Sequence, residues 1–549
     1  MSLPVFDPQT HLFGLQARSS DVFSETDRYR LFAQKIYPLL VQSRPRLEGC
    51  YCLTNGRPGV EPVLLLGVSV LQFLERVPDR QAVELVKYHI GWKHALAQEL
   101  EGEVFDPTVL VRFRERLLEH AQGQVAFEAV LGGLKQAGLV KQKGKQRLDS
   151  THVLAVVSRM GTLECVRESL RLALEELAGE VGEGQRPEFW SRLWERYLDS
   201  QPDYKASAET LKQKMVQTGE DLLELRTWLA GQVETVRQGE KVQLLERVWS
   251  EQFEVVEGQG VVRKAEIPAT PVQNPHDPEA QWCTKKTGDA RKEWVGYKVQ
   301  VAESVPEGPL EPGEPTPAFI TGIVTQSATG SDEAGMAALL ERQAEMGMDK
   351  PAELYVDGAY VSGQQLAQAE AEGRQLLGPA PPPAQTGKSA YKSDAFDIDV
   401  EQRRATCPAG QTSTQCSRLE EEKTGKVSYR FEWSTHCHPC PLRAQCVPDG
   451  QKHRSLVVGQ HHTPLQARRR EMKTESFQKQ MKQRNAIEGT HSELARAHGL
   501  RRARYRGLKK VTLQNYLIGA ACNVKRWIRR LQWEMKQEMQ REQCVPQAS

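Results

Sequence analysis

Apolar and polar residues change rhythm several times along this chain, and each change predicts a different kind of element. Up to about residue 140 the apolar positions recur at helical spacing. Val83, Leu85, Val86, Ile90 and Leu96 form one such face behind Asp79, which suits a helix cap, and Asp106-Pro107 gives a second start signal. The helix it opens, over 108–120, sets Leu110, Phe113 and Leu117 against Arg112, Arg114 and Arg116. A buried strand follows, Arg147-Leu148-Asp149-Ser150-Thr151-His152-Val153, running on through Leu154-Ala155-Val156-Val157. From 163 to about 253 the pattern is again helical, long and charged, with Phe189, Trp190, Leu193, Trp194 and Tyr197 at core spacing. Strand alternation returns over 296–301 and, past a Pro/Gly-rich loop at 305–317, over 318–324, which predicts a hairpin. Ser331-Asp332 opens a helix to Met346, then come two short apolar strands, Leu354-Tyr355-Val356-Asp357 and Gln375-Leu376-Leu377. A Pro-rich linker (379–383) and, much later, an amphipathic helix from Met481 to Ala497 complete the pattern.

Strand, hairpin, helix, strand and late helix make an α/β core interrupted after its first strand. At 549 residues the chain is too long for one hydrophobic core. The expected division is an all-helical N-terminal domain (1–140), the first core strand (141–162), a helical insertion (163–262) and the core continued (263–378). Then come a Pro-rich linker with a Cys-rich insertion (379–460), the late helix with a basic end to the core (461–530), and a tail (531–549).

Charge changes the picture more than composition does. The net charge is only +2, yet residues 451–549 hold 22 Lys and Arg against 7 Asp and Glu, which leaves 51 against 64 for the remainder. An excess of one sign that large predicts a face for a polyanion. The longest apolar run, Val63 to Leu74, is too short to span a bilayer, and the N-terminus lacks a signal-peptide pattern, so an intracellular protein with no membrane partner is expected. Eleven cysteines in such a chain suggest thiols or metal. Cys407, Cys437, Cys440 and Cys446, with the Cys-x-x-Cys pair at 437–440, have ligand spacing for one structural Zn²⁺; Cys416, His436 and His438 are spare donors.

Three acidic residues carry the candidate chemistry. Asp149 lies within an apolar strand, Asp357 closes another ahead of Gly358, and Glu488 sits on the late helix with Arg484 one turn before and His491 one turn after. Carboxylates in apolar strands are costly unless they pair or bind a cation. Two of them with a helical third can hold two Mg²⁺ ions roughly 3.5–4 Å apart for phosphodiester chemistry. Asp277, in a turn sequence, and Asp332, at a helix start, are better explained structurally.

Asp149-Ser150-Thr151, Tyr355-Val356-Asp357-Gly358 and the run from Asn485 to Trp527, with Gly499-Leu500-Arg501-Arg502-Ala503-Arg504-Tyr505-Arg506-Gly507-Leu508, together resemble the DDE transposases of bacterial insertion sequences. That family has a ribonuclease-H-like catalytic core. Its arginine four residues before the catalytic glutamate matches Arg484, while the tyrosine and lysine common in many members are Met481 and Ala495 here. The resemblance implies metal-dependent cleavage and strand transfer at terminal inverted repeats by Asp149, Asp357 and Glu488, with Mg²⁺ or Mn²⁺. It implies double-stranded DNA, both transposon ends and target, as partner, a homodimer or higher assembly on paired ends, and a bacterial cytoplasm, at the nucleoid. Arg484, His491, Arg501, Arg502, Arg504 and Arg506 are then expected on DNA, with Arg112 and Arg116 reading the ends. The alternatives are a nuclease of the same core without strand transfer, and an inactive zinc-braced DNA-binding regulator.

Overall fold

The computed structural model describes the chain except residues 5–14, 16–21, 53–54, 57, 103, 201–204, 288–289, 309–310, 316–317, 384–388, 423–424 and 544–549, and the side chains of 286–290 and 543. The last residues of the expected tail therefore lie outside the described residues.

The organising element is a six-stranded mixed sheet. Its strands are β1 (Lys145–Leu154), β2 (Gln281–Thr287), β3 (Ala290–Ser304), β4 (Ile320–Ser327), β5 (Glu353–Tyr355) and β6 (Gln375–Leu377). They lie in the order β4–β3–β1–β5–β6, and β2 pairs with the outer half of β3. β1 is antiparallel to β3 and parallel to β5, and β5 is parallel to β6. The two halves of the sheet thus differ: a hairpin-built antiparallel side and a crossover-built parallel side.

Each face of the sheet is covered. On one, Leu148, Ala302, Leu354 and Val356 pack against Met336, Leu339 and Leu340 of helix α1 (Asp332–Glu345) and Leu366 and Ala369 of α2 (Gly363–Ala371). On the other, Val153, Val299, Val301 and Ile323 meet α3 (Leu508–Gln543), which is buried without a break over residues 513–524, as a helix covered on every side must be. Gly519 lets α3 approach closely, since a Cβ there would overlap Ile323. Behind α3 lie the helices of residues 28–136, including Pro62–Glu75, Thr108–Glu119 and Val125–Gln136, in the same continuous core.

The insertion after β1 runs through the helices Thr162–Glu180, Ala208–Leu229 and Glu240–Gln252 and has its own core, built around Leu170, Leu222 and Leu245. It is not all-helical as expected. It closes with the hairpin Phe253–Val256 and Gly260–Arg263, turned at Gly258 and Gly260, which take the left-handed backbone that glycine favours.

Other departures have local causes. β2 and the outer half of β3 were not expected, because Thr284, Lys285, Lys286, Arg291, Lys292 and Glu293 are polar on both faces and carry no period-two signal. Asp79 begins its helix rather than capping it and pairs with Arg114 at 2.5 Å. The helix expected over 481–497 is broken into Glu475–Met481, a 3₁₀ turn over Lys482–Asn485, and Ala486–His498. α3 continues through 531–543, where a tail was expected.

Candidate active site

β1 carries Asp149 with its side chain 15% exposed. Its Oδ1 accepts from Ser150 N–H at 2.7 Å, and its Oδ2 lies 3.2 Å from Arg484 Nη2. Burial pushes this carboxyl up to about 6, and the charge of Asp357 adds to the rise against the opposing Ser150 N–H, Arg484 and Lys285. Asp357 comes from the neighbouring parallel strand: Arg147 stands opposite Tyr355, and both acids lie two residues further on. Its Oδ1 caps the 3₁₀ turn Gly358–Tyr360 by accepting from Ala359 N–H at 2.8 Å. Buried Tyr360 lies close to both acids and donates to Gln300 Oε1 at 2.5 Å. Burial first, then the Asp332, Asp149 and Asp357 carboxylates, hold its phenol above the usual range.

Glu488 stands exposed in the first turn of helix α4 (Ala486–His498), which precedes α3 in the chain. Arg484, on the 3₁₀ turn before it, reaches back to Asp149 and so ties this helix to β1. His491 is turned inward, with its Nε2 buried; burial pushes its imidazole down to about 4, which leaves it neutral at ordinary pH.

A second tie was not anticipated from the sequence. Glu303 of β3 is fully buried and pairs with Arg147 at 2.5 Å and with Arg526 at 2.9 Å; it also accepts from Thr490 Oγ1 at 2.6 Å. Arg147 donates to Gln483 O at 3.1 Å, and Arg526 holds Glu493 at 3.0 Å. A buried carboxylate is sustained only by such partners, and these join β1, β3, α4 and α3. The available signal was a charged residue amid the alternation of β3.

The basic run after α4 divides into engaged and free residues. Residues 501–503 extend the end of β1: Leu154 N–H donates to Arg501 O at 2.9 Å and Ala503 N–H to Leu154 O at 2.8 Å. Arg501 reaches Thr151 and His152 at 3.3 and 2.9 Å. Arg504 stacks on Phe73 and donates to Val77 O at 3.1 Å. Arg502 and Arg506 are exposed. In the N-terminal helices, Arg112 is exposed and Arg116 lies over the Tyr51 ring at 4.7 Å. Asp277 accepts from Tyr297 Oη at 2.6 Å, and Asp332 lies 3.3 Å from Lys298, so both have structural partners.

Cys407, Cys437, Cys440 and Cys446 line one small cavity beside Trp433, with His436 also in its wall. All four are free thiols, and Cys437 Sγ accepts from Arg454 N–H at 3.4 Å. Among the described residues, the three or more potential ligand atoms that lie within 4.8 Å of one another are those of Glu493, His498 and Cys522, not those of the four cysteines. There, however, Glu493 already holds Lys525 and Arg526 at 2.9 and 3.0 Å, so its charge is committed.

Two family models match the sequence: Transposase DDE domain over residues 406–528, and Transposase domain (DUF772) over residues 18–116. No curated protein and no solved structure matches. No described helix is long and apolar enough to cross a membrane.

Proposed function

We propose, for a chain that is a DDE-type DNA transposase of an insertion sequence, that Asp149, Asp357 and Glu488 are its catalytic acids. The observation that carries this reading is the placement of Asp149 and Asp357 at adjacent positions of neighbouring parallel strands, with the Glu488 helix bound to Asp149 through Arg484. The sheet order, antiparallel on one side of β1 and parallel on the other, supports a ribonuclease-H-like core. Residues 141–162, 263–378 and 461–530 would then form that core, interrupted by the insertions at 163–262 and 379–460.

Transposases of this kind use divalent metal ions. The donor set fits one: an all-oxygen set suits Mg²⁺ or Mn²⁺, and Asp149 is a desolvated carboxylate next to a like charge, where a cation relieves both costs. When bound, the metal polarises the scissile phosphate and lowers the pKa of the attacking hydroxyl. The chain's own groups do the rest. Arg484 exchanges Asp149 for a phosphate oxygen, His491 stays buried and neutral rather than on DNA, and the Ser150 and Ala359 N–H groups orient Asp149 and Asp357. Of these six arginines, the exposed Arg502, Arg506 and Arg112 are offered to DNA, while Arg501, Arg504 and Arg116 act by positioning. Two copies acting on paired ends fit the need to join both ends to one target.

The thiolate chemistry of Cys407, Cys437, Cys440 and Cys446 suits a structural Zn²⁺, which would have to draw their sulfurs closer together than they stand around this cavity. Such a clip would brace the segment that leads into Arg484 and Glu488.

Incubation with a supercoiled plasmid carrying the element's ends tests the reading. Wild-type protein with Mg²⁺ should give joined products, and Asp149→Asn, Asp357→Asn and Glu488→Gln should each lower cleavage by roughly a thousandfold or more, about 4 kcal/mol of barrier, while still binding the ends. Nicks without joining would indicate a nuclease, and binding without cleavage by wild type a regulator. Cleavage by any of the three variants at the wild-type rate removes that residue from the site. In the same preparation, absence of zinc would remove the clip.

A further inference from the structure

The hairpin of β2 with the outer half of β3 projects from the sheet with an arrangement that is unfavourable for the protein alone. Lys285 stands directly opposite Lys292, and the next pair towards the turn is Lys286 opposite Arg291. Like charges facing each other across an antiparallel pair are destabilising. Lys285 and Lys292 are exposed, and neither makes a hydrogen bond or ion pair among the described residues. Most other cations near the site are engaged: Arg147 and Arg526 with Glu303, Arg484 with Asp149, Lys298 with Asp332.

The hairpin is also aimed. Gly296, where β3 passes from β2 to β1, sits so close to Val153 O that any Cβ would overlap it, and its φ of 154° is one that other residues rarely adopt. From this bend Trp294, on the same face as Lys292, rests on His152 with ring centres 5.1 Å apart. Trp282 at the base is flanked by Arg159 and Arg291, at 5.0 and 5.7 Å from its ring. The charge of Lys285 is felt at both Asp149 and His152, and that of Lys292 at His152. The seven residues of β2 give the hairpin a reach of roughly 20 Å, about the rise of six base pairs.

We propose that this hairpin is a phosphate clamp, in which Lys285 and Lys292 together hold the sugar–phosphate backbone of double-stranded DNA beside the catalytic acids. The proposal rests on the reading of Asp149 as part of the active site. The clamp explains the facing lysines, because a phosphate between them turns their mutual repulsion into shared attraction. It also explains why the hairpin is polar on both faces.

The experiment measures binding of full-length protein to a duplex bearing the element's end, in Ca²⁺ to hold chemistry back, across a series of salt concentrations. Each lost phosphate contact should flatten the log Kd against log salt plot by about 0.9. Lys285→Ala/Lys292→Ala should therefore flatten it by about 1.8 and weaken binding at least tenfold. Lys285→Arg/Lys292→Arg should restore both. Lys292→Glu creates a favourable pair with Lys285, so it should melt no lower than wild type and still bind DNA worse, a split that a purely structural hairpin would not give. Wild-type affinity and slope in the double alanine variant overturn the clamp, as does weakened binding that comes with a lowered melting temperature and no rescue by arginine. Asp149→Asn should bind in Ca²⁺ with the wild-type slope and, with Mg²⁺ in place of Ca²⁺, not cleave where wild type does; cleavage by that variant would instead overturn the active-site reading and leave the clamp measurement standing.

Discussion

Two helical regions of this chain look alike in sequence and are built into the molecule in opposite ways. The helices of residues 28–136 share one hydrophobic core with α3 and the sheet, a core that runs from Tyr29 through Val299 to Ile528. The insertion after β1 keeps its buried residues to itself, from Cys165 to Val272. Polar links follow the same division. Arg504 reaches Val77 O, Arg76 donates to Arg496 O at 2.7 Å, and Arg342 lies 3.5 Å from Glu128, all joining the N-terminal helices to the half of the chain that holds the sheet. The insertion meets the core chiefly at its own base, where Met160 N–H donates to Gln273 O at 3.1 Å and Asn274 to Ser158 O at 3.0 Å. A region that shares a core sets the position of the site; a region with a private core can change without moving it.

The strongest way to break this comparison is to remove each region. Deleting residues 1–140 should expose the buried face of α3 and yield insoluble or unfolded protein. Replacing residues 162–271 with a short Gly-Ser loop should leave a folded protein that still binds DNA, because the hydrogen-bonded Met160 and Gln273 already bring the ends together. Circular dichroism and DNA binding of the two deletion variants check both outcomes. A soluble, cooperative 141–549 fragment would show the shared core to be dispensable.

Single truncations sharpen the same point with a smaller effect. Ile518 and Leu170 are both fully buried, one in each core. Ile518→Ala and Leu170→Ala should each cost about 2–5 kcal/mol. Calorimetry should find that Leu170→Ala lowers only the transition of the insertion, whereas Ile518→Ala lowers the transition of the sheet and with it DNA cleavage. One common transition shifted equally by both would make the two cores a single cooperative unit.

The sequence revealed the parts of the fold that rest on hydrophobic period. β1, the inner halves of β3 and β4, and α1 announced themselves because one face of each is buried. Asp149 and Asp357 were legible for the same reason, as carboxylates where the pattern wanted apolar residues. What rests on pairing was not legible. Glu303 and its arginines are far apart in sequence and meet only through the register of β1 on β3 and the packing of α4 and α3. The outer hairpin has no buried face and therefore no period. The break at Lys482–Asn485, which aims Arg484 at Asp149 instead of along the Glu488 helix, carries no proline or glycine to mark it.

The smallest expected effect separates the two regions by acid. His498, fully buried in α4 against Phe73 O, is pushed down to about 4, mainly by burial and then by the nearby Lys525 charge. Its folded pKa is thus below the ordinary value of 6.5. At pH 7 the ring is neutral in both states and contributes no pH dependence. As pH falls below 6.5 the unfolded chain takes up a proton that the folded chain refuses, so stability drops and keeps dropping until about pH 4. For this one group the loss by pH 5.5 is about 1 kcal/mol. His152, His462 and His491, also held down to about 4 by burial, act in the same direction. Residues 162–264 contain no histidine, so the insertion lacks this term. Urea unfolding at pH 7 and pH 5.5 should therefore find the sheet transition weakened and the insertion transition nearly unchanged. His498→Gln should recover about a quarter of the loss, with four buried rings titrating independently. A loss that falls instead on the insertion would mean that its stability depends on groups outside its own core.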